Sequence, residues 1–473
     1  MFSALPILLA AALAAPAAAP DWSGVDRYIR AEMELKEIPG LAIAVAREGA
    51  IVAVLAWGVR NLESGAPMTT ATPVELASLS KPLTAMAVDQ LRRAGKLDLD
   101  APLARYLPEF ASGWPGLTPR HLLRQTSGLR RWHDFEAPCC GQAGEFDLAL
   151  AARKLARARF RQAPEFRYAN SNYVILAALV ERVSGLRFTD CMTRHVFAPL
   201  GMNHTTLHRE QAQRWGLAES HERQWGRLRP SPPSFLGWYG SSQVKSSAED
   251  MGRYLAALTS TSWEPLQAPY DQGWFLRSLP GLGMVAAHTG DLWGSNTAVM
   301  VSMEKRLGVV VLGNAGSVRA GEIARGVLER AAGLPGVPPA RVPKTVDPDF
   351  WAILFLAAAW LIAGSLAVYV PRAWIEWRRG GRGFRPRKWT VARATMLGAM
   401  AAYLGLRLAV VGAPPVAALP KSLQTALPAL VVAVMILLVA AALAGLAPRD
   451  HRGGQPLRRR EIVATFSLGR PAR

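Results

Sequence analysis

Cysteine is scarce in this sequence, with three among 473 residues. Cys139 and Cys140 are adjacent, and Cys191 lies well down the chain. An odd count cannot close into a full disulfide framework. In an oxidising compartment one of the first pair could reach Cys191; equally, all three suit small buried apolar positions. No spacing of Cys or His matches a metal framework, and no His-Glu-x-x-His occurs. His204 and His208 are four apart but follow a Gly-Met turn and lack a helical apolar pattern. No metal and no other cofactor is expected. Acidic residues are also few, 35 against 55 Lys and Arg, leaving a formal charge of +20. That excess is concentrated, because residues 371–473 hold 17 Lys/Arg and three acids. Charge crowded beside apolar segments reads as membrane topology, and no groove-reading motif accompanies it. Nucleic acid is not expected as a partner. Internal repeats and long low-complexity tracts are missing too.

What the chain has in quantity is apolar sequence. Half its residues are hydrophobic, yet 19% are charged, which suggests a soluble portion plus membrane-embedded sequence. Residues 1–19 read as a signal peptide: the apolar run is too short for a bilayer of about 30 Å, and Ala17-Ala18-Ala19 suits cleavage. No Lys or Arg precedes that run. Residues 20–332 read as the catalytic domain, and 333–348 as a Pro/Gly-rich linker. A membrane region at 349–448 follows, with transmembrane helices expected near 350–370, 394–412 and 427–446. The basic stretch from Arg372 to Lys388 and the Arg-rich tail 449–473 place both on the cytoplasmic side. The domain before Phe350 is then extracytoplasmic, on a multi-pass protein of the inner membrane with the lipid bilayer as partner. Arg407, inside the second span, can snorkel to the outer interface. Three spans and one interior charge offer little from which to build a transport path.

Within 20–332, two apolar runs, 40–46 and 51–57, flank Arg47-Glu48-Gly49-Ala50 and predict an antiparallel hairpin. A second hairpin is expected from 297–301 and 307–312. Helical patterns occupy 79–94, 146–158, 171–184, 248–258 and 320–332. Strands at both ends with helices between them predict an α/β fold: a mixed, mainly antiparallel sheet flanked by helices, plus a helical lobe.

Three motifs carry chemistry. Ser78-Leu79-Ser80-Lys81 opens a helical pattern, where a backbone N–H can face an oxyanion. Lys81 follows one turn later on the same face, and an ammonium desolvated there is expected to have a lowered pKa and to relay a proton. Tyr168-Ala169-Asn170 brings a phenol for proton transfer and an amide for substrate and lysine. His288-Thr289-Gly290 precedes the last hairpin, where an edge strand could supply a second oxyanion N–H and pair with substrate. Each motif alone is weak, and their order and spacing give them weight.

Ser-x-x-Lys, Tyr-x-Asn and His-Thr-Gly in this order resemble the motif set of serine β-lactamases and penicillin-binding proteins, in particular the class C β-lactamase-like family with its D-alanyl-D-alanine peptidases, D-aminopeptidases and esterases. The resemblance extends to Gly95–Pro102, Leu122–Leu129, Pro199–Met202, Ser246–Met251 and Gly313-Asn314, and covers roughly 22–332. It implies that Ser78 is acylated while Lys81 and Tyr168 share the proton traffic. Asn170 would orient the substrate, His288, Thr289 and Gly290 would line the site, and the N–H groups of Ser78 and Asp291 would form the oxyanion hole. His288 stands where efficient β-lactamases of this class carry Lys. Asp291 beside the oxyanion strand would repel a substrate carboxylate, pointing to an ester, or an amide with no carboxylate nearby. The expected function is a membrane-anchored serine hydrolase acting on a small-molecule, peptide or ester substrate. The alternative is a penicillin-binding sensor or scaffold without significant turnover.

Overall fold

The computed structural model describes residues 21–341, apart from 131–132, 135–146, 158–164, 225–226, 232–237, 262, 265 and 293, together with residue 357. The expected signal peptide, the three spans and the tail lie outside the described residues, as do Cys139 and Cys140. Among the described residues no helix is long and apolar enough to cross a membrane. The chain divides into two compact units, Met1–Trp351 with Leu408–Gln424, and Ala352–Arg407 with Thr425–Arg473. Every element below belongs to the first.

In chain order the elements are α1 (Trp22–Lys36), β1 (Gly40–Arg47), β2 (Ala50–Gly58), β3 (Val74–Glu75), α2 (Ser80–Arg93), α3 (Pro119–Leu123), α4 (Leu148–Ala156) and α5 (Asn170–Ser184). Then come α6 (Phe188–Cys191), α7 (Arg209–Arg214), β4 (His221–Gln224), β5 (Arg227–Pro230), β6 (Lys245–Ser246) and α8 (Ala248–Ser260). The last are β7 (Tyr270–Asp271), β8 (Trp274–Leu279), β9 (Gly283–Leu292), β10 (Ser295–Ser302), β11 (Leu307–Gly313) and α9 (Ala320–Ala331). Both expected hairpins form, and each expected helix appears within a few residues of its anticipated ends.

Seven strands make one antiparallel sheet in the order β2-β1-β11-β10-β9-β8-β7. The first and last long strands are neighbours, Leu41 opposite Gly313 and Arg47 opposite Leu307, so the sheet closes across almost the whole domain. The β1–β2 connection is a two-residue turn with Glu48 and Gly49 both at positive φ, which matches the twist of the paired strands.

The sheet is covered on both faces, and this explains why β1 and β11 are unbroken apolar runs without polar alternation. Leu41, Ile43 and Val45 pack with Val309 and Val311 under α1 and α9, against Ile29, Ile323 and Val327. Ala42, Ala44 and Ala46 face the other way, toward α8 and the helical lobe, where Met251, Leu255 and the α5 residues Val174 to Val180 are buried. Small alanines on that face let α8 approach closely: a Cβ built on Gly252 would lie 3.2 Å from Ala44 Cβ. Asn314 ties the sheet ends, accepting from Gly40 N–H at 2.8 Å and donating to Val59 O at 3.1 Å. Cys191 is a free thiol buried in the lobe.

Ile43 is 0% exposed, and Ile51 on the outer strand is 41% exposed. Ile43→Ala should therefore lower the domain's unfolding free energy by about 2–5 kcal/mol, and Ile51→Ala by about 0.5 kcal/mol or less, in urea titrations followed by circular dichroism.

Candidate active site

Ser78 is the middle residue of a 3-10 turn, Ala77–Leu79, that carries the chain from β3 into α2. The nucleophile therefore precedes the α-helix and is not its first residue. Ala77 holds φ 51°, a left-handed conformation that costs a non-glycine residue on the order of 1 kcal/mol. Hydrogen bonds on both sides over-determine this bend. Ser295 donates its hydroxyl to Glu75 O at 3.2 Å and Thr297 to Leu76 O at 2.9 Å. Leu76 N–H donates to Val244 O at 2.9 Å. Gly290 of β9 lies against the same turn. A Cβ there would stand 2.1 Å from Leu76 O, so any larger residue would push strand and nucleophile apart.

Lys81 is 0% exposed. Its ammonium donates to Ser78 Oγ at 3.0 Å, Asn170 Oδ1 at 2.8 Å and Ser241 O at 3.1 Å. Its Nζ also lies 4.8 Å from the centroid of the Tyr168 ring. The Tyr168 hydroxyl donates to Ser78 Oγ at 3.0 Å. Ser78 and Lys81 are thus brought together with Tyr168 and Asn170 from a second segment of the chain. Ser78 is half-buried, which leaves its oxygen open to a carbonyl.

Residues not anticipated from the sequence hold this arrangement. Asp134 accepts from Asn170 N–H at 3.1 Å, Ser171 N–H at 2.8 Å and Ser171 Oγ at 2.6 Å, capping α5 from outside the helix. Burial pushes its carboxyl pKa up, opposed by those bonds. Gln125 accepts from Ala169 N–H at 3.0 Å through its side chain and from Arg167 N–H at 2.8 Å through its carbonyl. Together with Ser127, bonded to Asn172 at 2.5 Å, it clamps the Tyr168 turn. In the sequence the stretch Leu122–Leu129 stands out only by its resemblance to the family, and this clamp is its physical role. Ser241 follows Gly240, whose φ of 81° and closeness to Tyr173 O, 2.2 Å from a built Cβ, admit only glycine. Thr84 donates to Gly240 O at 2.7 Å, fixing this loop on α2.

The His-Thr-Gly segment departs from expectation in three respects. It lies in β9, which pairs with β8 over 283–287 and with β10 along its length. Only 288–292 is an open edge among the described residues. Second, His288 is enclosed by aromatic rings. It is 3% exposed, with the centroids of Tyr168, Tyr270 and Phe275 at 6.1, 5.8 and 5.3 Å. Burial first, and the Lys81 charge second, hold its pKa down to about 3, so this imidazole is neutral. Third, strand alternation puts Thr289 and Asp291 on the opposite face from His288 and Gly290, with the Thr289 methyl 3.1 Å from a Cβ built on Gly321 of α9. The Asp291 carboxylate therefore does not point at Ser78 and gives little support to substrate repulsion. Asp291 itself lies in the stretch of β9 that β8 leaves unpaired.

The Beta-lactamase family model matches residues 25–332. The chain belongs to the Beta-lactamase family. It is 25% identical to Protein flp of Staphylococcus aureus over 316 residues, which is 62% of this chain and 63% of that protein. It is 26% identical to Penicillin-binding protein 4* of Bacillus subtilis over 58% of this chain and 67% of that one. The chain thus spans less than two thirds of the length of Protein flp. Its fold is similar to the octameric penicillin-binding protein homologue from Pyrococcus abyssi, with TM-score 0.59 and 24% identity over 72% of this chain and 82% of that one. It is also similar to a Beta-Lactamase/D-Alanine Carboxypeptidase from Pseudomonas syringae, with TM-score 0.54 and 20% identity over 67% and 99%. This family and the fold support a serine hydrolase.

A folded pKa near 3 against about 6.5 unfolded means that below pH 6.5 the unfolded chain takes up a proton that folded His288 refuses. Stability contributed by this group is present above pH 6.5 and is lost as pH falls toward 3. Wild type should lose on the order of 1 kcal/mol per pH unit more than His288→Gln between pH 6 and 4, in urea titrations at each pH. Equal slopes would contradict a neutral buried imidazole. Separately, Asp134→Ala should reduce turnover by about 10-fold or more, through loss of the α5 cap and of Asn170's orientation.

Proposed function

We propose that this chain is a serine hydrolase that forms an acyl-enzyme at Ser78 with an ester or amide substrate. One observation carries the reading: Ser78 Oγ is held at 3.0 Å by both the Lys81 ammonium and the Tyr168 hydroxyl. A serine with two proton-handling groups in contact can lose its proton as it attacks. The reactive form of the pair has one proton fewer, Tyr168 as phenolate beside the Lys81 ammonium; in the first step Oγ bonds to the substrate carbonyl carbon and its proton passes to the Tyr168 oxygen. The carbonyl oxygen takes up negative charge opposite the N–H groups of Ser78 and Asp291. Collapse breaks the bond to the leaving group, which departs with that proton. Water then attacks the ester at Ser78, its proton returns to Oγ by the same pair, and the acid product leaves.

Asn170 orients the substrate amide while it holds Lys81. Neutral, enclosed His288 brings no positive charge to the position where lysine serves efficient β-lactamases, which favours esters, or amides without a free carboxylate, over β-lactams. A peptidase role fits the names of the relatives, and a weak β-lactamase role fits the family. The expected signal peptide, three spans and basic loops support placing this domain outside the inner membrane, anchored by its C-terminal region.

The full chain in detergent should react with a fluorescent penicillin, nitrocefin, a D-alanyl-D-alanine peptide or p-nitrophenyl esters, with the short-chain esters turned over best. Ser78→Ala should lose at least about 1,000-fold of that turnover and Lys81→Ala about 100-fold or more. Labelling by penicillin without turnover would instead favour the sensor or scaffold reading, and indifference to Ser78→Ala would remove the hydrolase. A chain ending at residue 346 should move from the membrane fraction to the soluble fraction. Retention in the membrane would count against anchoring by the spans.

A further inference from the structure

His288 and Tyr270 form a pair behind the nucleophile that the reaction scheme leaves unused. His288 Nδ1 lies 2.7 Å from Thr289 O. A carbonyl can only accept, so Nδ1 carries the hydrogen. In a neutral ring Nε2 is then a bare lone pair, and it lies 3.3 Å from the Tyr270 hydroxyl, which donates to it. Tyr270 is itself enclosed, with Phe275 and Phe166 at centroid distances of 4.8 and 5.7 Å, and its ring stands edge-on to Tyr168 at 6.2 Å. Phe275, in contact with Tyr270, stacks on Tyr168 at 13° from parallel. The ring that must present its hydroxyl to Ser78 is thus steadied by the same cluster that occupies His288.

We propose that Tyr270 is a positioning residue: by holding His288 Nε2 it keeps a neutral imidazole beside Tyr168 and reserves the Tyr168 hydroxyl for Ser78. This rests on the hydrolase reading. The titratable and charged groups facing His288 are Lys81 from α2, Tyr168 from the turn before α5, and Tyr270 from β7. Beyond Tyr270 lie Tyr173 of α5, which donates to Leu123 O, and Asp271, paired with Arg124 at 3.1 Å. Asp291 is on the opposite face of β9. Without Tyr270, Nε2 has two ways to be satisfied. It can accept from Tyr168, drawing that hydroxyl off Ser78. It can also take up a proton and place a second cation beside Lys81. Both lower acylation, and both make it depend on the protonation of His288.

The test uses the full chain and p-nitrophenyl acetate. Wild type should show no histidine limb in kcat/KM between pH 5 and 8. Tyr270→Phe should fall about 10-fold at pH 7 and gain an acid limb between pH 5.5 and 7, and Tyr270→Phe/His288→Gln should lack that limb. An unchanged profile shape in Tyr270→Phe overturns the proposal, as does a new limb that persists in the double variant. A second measurement needs neither activity nor a folded Tyr270 variant. In nitrogen-15 spectra of the wild-type chain at pH 6, the histidine signal lost in His288→Gln should be the neutral Nδ1–H tautomer. An Nε2–H tautomer or an imidazolium there overturns the proposal. Failure of the hydrolase reading would instead appear as no Ser78-dependent turnover, with the tautomer intact.

Discussion

A buried ammonium must find acceptors, and the site is organised around that demand. Lys81 is wholly out of water, where an unpartnered charge would cost several kcal/mol. Its partners come from three places: Ser78 one turn earlier, Asn170 at the head of α5, and the backbone of Ser241 in a distant loop. Each partner is fixed by further bonds, Asn170 through Asp134, and Ser241 through the Gly240 carbonyl held by Thr84. Displacing any one of these segments would strand the charge, so the geometry around the nucleophile follows from satisfying Lys81.

The sheet supplies the second constraint. Ser295 and Thr297 of β10 and Gly290 of β9 hold the backbone before Ser78 in its left-handed bend. These strands are rigid because β10 is paired on both sides and the sheet is covered by helices on both faces. Where β8 stops pairing, at Ala287, the rest of β9 opens as an edge beside the nucleophile. A strand that is internal for half its length and open for the rest combines a firm base with free backbone groups for a substrate.

Much of this was legible in the sequence. The runs at 40–46 and 307–312 are apolar on every residue, and such runs signal strands buried on both faces. Helix patterns gave the helices to within a few residues, since amphipathic periodicity is a local property. Ser78, Lys81, Tyr168 and Asn170 were identifiable by type and spacing. Other features were not. The unpaired half of β9 depends on where another strand ends. The burial of His288 depends on Tyr270 and Phe275 from β7 and β8, and the motif itself suggested a residue lining the groove. Asp134, Gln125 and Ser241 act through hydrogen bonds across 36 to 160 positions, for which no periodicity or motif provides a signal.

By itself the sequence determined the two hairpins that form one part of the sheet, five of the helices and which side chains hold reactive groups, because hydrophobic spacing and residue chemistry are written locally. Only the tertiary structure decided which acceptors complete the Lys81 ammonium, that the imidazole at 288 is neutral and enclosed, and that the Asp291 side chain turns to the opposite face of the sheet. Those outcomes rest on burial and on side-chain direction. Both are set by what distant segments place on either side of a strand.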